Sequence, residues 1–139
     1  MSAILGVDLG KARIGVAISA GARLPAVPLT TISHTSRARD VAALTALARE
    51  REVTLIVVGY PLRLDGTRGP AAQDAERFIA ALRESFGGEV VAHDERLTTA
   101  LATRKLQALN LSGSKRRERI DQAAAVEILN SYLARPQGR

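Results

Sequence analysis

The order of apolar runs and helical periodicities predicts an α/β fold, a mixed sheet with helices on both of its faces. Three observations carry this. Residues 6–19 (GVDLGKARIGVAIS) place two short aliphatic runs around a polar, glycine-bounded turn, the pattern of a β-hairpin. Residues 53–59 (VTLIVVG) are almost continuously apolar, as expected of a strand covered on both faces. Helical patterns then alternate with strand patterns to the end of the chain, giving the order β-β-β-α-β-α-β-α-α.

Each element has its own local reason. After the hairpin, Pro25 and Pro28 confine residues 23–32 to a turn and an edge strand. Ser36 is a suitable N-cap for a helix to about Arg51, with Val41, Leu44, Leu47 and Ala48 along one stripe. Residues 60–69 read as a loop. Pro70 suits the first turn of the next helix, because its missing N–H costs nothing there. Ala75, Phe78, Ile79, Leu82 and Phe86 share a face of that helix, and Gly87-Gly88 ends it. Residues 89–93 form a short strand running into Asp94-Glu95-Arg96. Thr98 or Thr99 caps a helix to about Leu109, residues 110–119 read as a polar loop, and a last helix spans about Ile120 to Leu133. No repeat or linker divides the chain, so residues 1–135 are expected to form one domain, with 136–139 frayed.

Composition narrows the class. The 139 residues are 46% hydrophobic but hold just four aromatics, Tyr60, Phe78, Phe86 and Tyr132, so the core must be aliphatic. With no cysteine, disulfides and zinc-thiolate sites are excluded, and a reducing, cytoplasmic setting is expected. No signal peptide is recognised and no apolar run approaches the ~18 residues of a membrane helix. The formal net charge of +6 favours a polyanionic partner, since clustered Lys and Arg release counterions from a phosphate backbone.

Three carboxylates stand in unusual places. Asp is a poor strand residue, yet Asp8 ends the first apolar run, on the same strand face as Ile4 and Gly6. It reads either as a metal ligand or as an Asx-type turn residue. Asp94 and Glu95 follow the last strand, where functional residues of α/β sheets gather. Acidic residues before a helix also simply favour its dipole. Asp121 shares a face with Ala124, Ala125, Ile128 and Tyr132 on a helix apolar nearly all round, where an ionised carboxylate is costly unless paired or bound to a cation. The alanines around it permit close approach to the sheet. Its alternative is a first-turn carboxylate satisfied by backbone N–H groups. Together the three could hold hard divalent ions, which take oxygen ligands and activate water against a phosphodiester.

These residues resemble the YqgF (RuvX) family, which has a ribonuclease-H-like fold. Four motifs carry the resemblance in family order and spacing: GVDLGKARIGVAIS, VVGYPLRLDGTRG, HDERLTT and IDQAAAVEIL. They cover essentially the whole chain. Members are described as Holliday-junction resolvases and as nucleases maturing the 5′ end of small-subunit ribosomal RNA. The resemblance implies a five-stranded sheet, three strands antiparallel and then two parallel. It implies that Asp8, Glu95 and Asp121 are both catalytic and metal-binding, and it selects Glu95 over Asp94. Asp8 would bridge two Mg²⁺ or Mn²⁺ ions, with in-line attack by water leaving a 5′-phosphate and a 3′-hydroxyl. A fourth carboxylate is not evident, and Asp94, His93 and Asp65 are the candidates for an auxiliary role.

Grip on nucleic acid is expected from Lys115, Arg116, Arg117 and Arg119, with Lys11, Arg13, Arg63, Arg68 and Arg96 adding to it. Scarce aromatics argue against a base-stacking platform, Tyr60 being the one exception, and favour recognition through backbone and shape. The expected substrate is the 5′ end of pre-16S rRNA, with branched DNA as the alternative and ribosome precursors as possible partners. A junction resolvase would need two active sites in a dimer, and the sequence leaves monomer and homodimer open. Two rivals remain. One is a non-catalytic ribosome-assembly factor. The other is an actin-like nucleotide binder, disfavoured because the chain has length for one such domain and lacks a second phosphate hairpin.

Overall fold

The computed structural model describes residues 2–100, 102 and 113–135. Five strands form one sheet: β1 (Ala3–Leu9), β2 (Arg13–Ser19), β3 (Val27–Ser33), β4 (Val53–Tyr60) and β5 (Glu89–Asp94), in the spatial order β3-β2-β1-β4-β5. The first three are antiparallel, while β4 and β5 run parallel to β1. Both aspects match the expectation. β3, which carries Pro28, is an edge strand, where a missing N–H costs little.

Alternation along the strands feeds two cores. Leu5, Val7, Ile14, Val16, Ile56 and Val58 pack with Val41, Leu44 and Ala48 of α1 (Arg37–Glu50) and with Phe78, Ile79 and Leu82 of α2 (Pro70–Phe86). Ile4, Ala17 and Val57, from the other face, pack against Ala124, Ala125, Ile128 and Leu129 of α3 (Ser114–Ala134). The predicted caps are present: the Ser36 side chain accepts from the Arg39 N–H, Pro70 opens α2, and Gly87 ends it in the left-handed conformation at φ 77°.

One expectation is corrected. Residues 114–119 are not part of a loop; α3 starts at Ser114, directly after Gly113, whose φ is +85°. Charge density suggested a loop, but Lys, Arg and Glu are good helix formers and extend the helix backwards. Most of the helix expected over 98–109 lies outside the described residues, as do 136–139; Ala100 and Ala102 are helical.

What joins α3 to the sheet is the absence of side chains. A Cβ on Gly15 would lie 2.1 Å from the Asp121 carbonyl oxygen, and one on Gly6 would lie 2.6 Å from the Leu129 Cβ and 2.9 Å from the Ala125 carbonyl oxygen. Backbone cannot rotate away as a flexible side chain can. Gly15→Ala is therefore expected to lower stability by about 1–3 kcal/mol, the usual range for overpacking, read as a drop in the urea midpoint at unchanged m. An unchanged midpoint would show that the helix does not sit this close.

Candidate active site

The three predicted carboxylates all belong to one corner of the α3 face. Asp8 is the penultimate residue of β1, is 1% exposed, and pairs across the ladder with Gly15 of β2. Two turns into α3, the Asp121 backbone rests on that same Gly15. Asp121 is thus no first-turn capping residue. On the other flank of Asp8, Val7 pairs with Val58 of β4, and Gly59 is the next residue up. A Cβ on Gly59 would lie 3.1 Å from both Cγ and Oε2 of Glu95 and 2.7 Å from Ile128 Cδ1. Glu95 opens the 3₁₀ turn Glu95–Leu97 beyond β5 and is 6% exposed. Glycine therefore flanks Asp8 on both sides. One glycine admits the backbone of Asp121, and the other admits the carboxylate arm of Glu95.

Arg13 donates from Nε to Asp121 Oδ2 at 2.8 Å, and both side chains are largely shielded. The pair ties β2 to α3 at the Asp121 turn. Among the described residues, no three His, Cys, Asp or Glu side chains gather tightly enough to enclose a metal ion. The donor set fits a hard cation in its chemistry: three carboxylates, two of them buried, belong to one end of one sheet face.

The auxiliary candidates have other occupations. The Asp94 carboxylate caps the 3₁₀ turn by accepting the Arg96 N–H at 2.9 Å and grips the Arg96 guanidinium at 2.7–3.1 Å. Those bonds hold it below the usual carboxylate range. Asp65 accepts from the N–H and hydroxyl of Thr67 at 2.9 and 2.7 Å, closing its own loop, and the Thr67 bonds lower its pKa. His93 is buried, shares a hydrogen bond of 2.9 Å with the Ser131 hydroxyl, and meets the Tyr132 ring edge-on at 5.8 Å.

The basic residues divide into two groups. Arg13, Arg68 and Arg96 are tied to Asp121, Glu76 and Asp94. The Tyr60 hydroxyl also donates to Glu76, so Tyr60 belongs to this network, and Arg68 and Tyr60 together keep Glu76 ionised to lower pH. Lys11, Arg63, Arg116, Arg117 and Arg119 are exposed and form no ion pair among the described residues. The last three line the turns of α3 that lead into Asp121. The Lys115 side chain lies outside the described set. The Arg13–Asp121 pair and the close approaches at Gly15 and Gly59 are not evident from the sequence spacing, although a glycine inside a strand pattern is a recognised sign of close backbone approach.

With this geometry in place, comparison with known proteins is decisive. A family model described as "RuvX: Holliday junction resolvase" matches residues 2–135. The chain belongs to the RuvX family. It is 46% identical over 129 residues to a protein of Myxococcus xanthus (strain DK1622), covering 93% of this chain and 85% of that one. It is 47% identical over 131 residues to one of Geobacillus kaustophilus (strain HTA426), covering 93% and 95%. Both RuvX relatives are described as "Putative pre-16S rRNA nuclease". Among solved structures, Thermus thermophilus RuvC in complex with a Holliday junction substrate superposes with a TM-score of 0.60 at 12% identity, covering 96% and 94% of the two chains. At that identity the likeness establishes the shared fold.

Burial sets a pH dependence. Desolvation, partly opposed by Asp94 and reinforced by Arg135, lowers the His93 pKa from its ordinary 6.5. The unfolded chain then binds this proton more tightly than the folded one, so stability falls as pH drops through about 6.5 towards the folded value. His93→Gln is expected to show a flatter stability profile between about pH 7.5 and 5, read by urea unfolding; a parallel profile would contradict the buried imidazole.

Proposed function

We propose that this protein is a divalent-metal-dependent nuclease that hydrolyses phosphodiester bonds of structured nucleic acid in the cytoplasm, with the 5′ end of pre-16S rRNA as its substrate. The observation that carries the chemistry is the buried Asp8, flanked by Gly15 and Gly59 so that Asp121 and Glu95 approach it from either side. The substrate assignment rests on the names of the relatives. The family description favours a second reading, resolution of a four-way DNA junction.

Asp8, Glu95 and Asp121 would hold the cation, Mg²⁺ or Mn²⁺. When bound, it supplies charge neutralisation at the phosphate undergoing attack. Arg13 has two tasks in this scheme. It compensates Asp121 while the carboxylate faces it, and it becomes available to a phosphate oxygen once Asp121 turns away. Arg116, Arg117 and Arg119 meet the neighbouring phosphates, so that the strand is positioned by charge rather than by base identity. The protein's contribution is placement and electrostatics, with no covalent intermediate required.

Asp8→Asn, Glu95→Gln and Asp121→Asn are each expected to cut the rate by roughly 10²-fold or more, with double variants little worse than singles because the three act as a unit. The assay is cleavage of pre-16S rRNA ends and of branched DNA side by side, with Mg²⁺ and with Mn²⁺, alongside the molecular mass in solution. Mn²⁺ is expected to raise the thermal midpoint of the wild type but not of Asp8→Asn, since binding to the folded state stabilises it. Cleavage surviving all three substitutions would refute the site. A wild type inert on both substrates with either metal would favour a non-catalytic assembly factor.

A further inference from the structure

On the face of the sheet opposite the carboxylates lies a cavity of about 760 Å³. It opens at the carboxyl ends of the parallel strands β1 and β4, between the first turns of α1 and α2, where open α/β sheets bind ligands. Its lining is two-sided. Leu9, Ile14 and Phe78 give an apolar floor, and Lys11, His34 and Arg37 stand on the rim.

The rim has its own construction. Asp40, 2% exposed, lies 2.5 Å from His34 Nδ1 and also accepts the Thr35 N–H at 3.2 Å. The buried carboxylate fixes the imidazole through Nδ1 on the cavity wall. Neither Lys11 nor Arg37 forms an ion pair among the described residues, while Asp74, also on the rim, is paired with Arg77 at 3.1 Å. Apolar walls with a few converging polar groups, in a volume of this size, are what a small organic ligand requires. The two cations, Lys11 and Arg37, add a preference for a phosphate.

We propose that this cavity holds one nucleotide of the substrate strand flanking the scissile phosphate, its base on the apolar floor and its phosphate between Lys11 and Arg37. Lys11 links the two places, because it sits in the β1–β2 turn three residues beyond Asp8, so a strand crossing this end of the sheet reaches both faces. The proposal rests on the nuclease reading for its source of nucleotide, not for the cavity.

The test is a chemical-shift titration of the full chain with AMP, with CMP, with inorganic phosphate and with a single-stranded oligonucleotide. Mononucleotides and the oligonucleotide are expected to move the signals of His34, Arg37, Ala71 and Phe78 saturably, with inorganic phosphate about tenfold weaker, a difference of 1.4 kcal/mol. Arg37→Glu and Ala71→Trp alter exposed positions on the cavity wall, and each is expected to weaken mononucleotide binding about tenfold at an unchanged thermal midpoint. No shifts at these residues, equal affinity for inorganic phosphate, or response to mononucleotides but not to the oligonucleotide would each overturn the proposal. Asp8→Asn is expected to bind mononucleotides as the wild type does. Shifts in a protein that cleaves nothing would support the cavity and refute the nuclease, whereas cleavage without shifts would refute the cavity alone.

Discussion

The carbonyl oxygen of Asp121 rests where residue 15 would carry a Cβ, and this contact governs the whole α3 face. A helix that close places its backbone, rather than a layer of side chains, against the sheet. Short side chains then reach what ordinarily only long ones could. Asp121 has one methylene between its backbone and its carboxylate, so it comes this near the end of β1 only because Gly15 leaves the space. Ala124 and Ala125, both fully buried, keep the next turn equally low over Gly6. Glu95 approaches from the other flank with one more methylene, over the third glycine, Gly59. The sheet thus provides a bare patch around one buried acid, and the turn after β5 and the third turn of α3 carry the others.

Such a patch is electrostatically costly. Asp8 and Glu95 are both nearly inaccessible, and carboxylates in that position need compensation from cations or hydrogen bonds. The Arg13 pair provides it for the third acid. The same economy appears elsewhere: Arg68 with Glu76 and Arg96 with Asp94 hold the loops after β4 and β5 in shape. Those arginines are scaffolding for the site's rim. Of the cations expected to grip nucleic acid, Lys11, Arg63 and the three on α3 are exposed and form no ion pair among the described residues, a more selective set than the net charge alone implies.

The sheet order and the helix positions were legible because they rest on periodicity and on residues with strong local preferences: Pro28 at an edge, Ser36 as a cap, Pro70 and Gly87 at the two ends of α2. Placing α3's start failed for a specific reason. A run of Lys and Arg carries no apolar stripe, and its helix propensity was outweighed by its charge. Asp121 was identified by a conflict, a charge on a buried alanine-rich stripe, which is the kind of local inconsistency that marks function. Asp94 and Glu95 could not be told apart from sequence by spacing. The structure separates them by partner: Asp94 is occupied with Arg96 at the turn, whereas Glu95 is buried over Gly59. Arg13 pairing with Asp121 spans most of the chain, and nothing local could signal it.

The hairpin at residues 6–19 accordingly serves two faces at once. Its odd-numbered neighbours of the core, Val7 on one side and Gly15 on the other, show the division: Val7 packs beneath α1 and α2, while Gly15 lies bare beneath α3. Lys11 lies within the turn that follows Asp8 and closes through the Gly10 N–H on the Arg13 carbonyl at 3.0 Å. That bond fixes the spacing between the buried acid and the exposed cation, and Arg13, one residue of the same turn, reaches over to α3. A change in the turn would therefore shift Asp8's neighbour Gly15, the partner of Asp121 and the rim of the opposite cavity together. The glycines at 10 and 15 are best understood as support for that shared geometry, Gly10 because a Cβ there would lie 2.4 Å from the Arg13 carbonyl oxygen and Gly15 because it would strike Asp121.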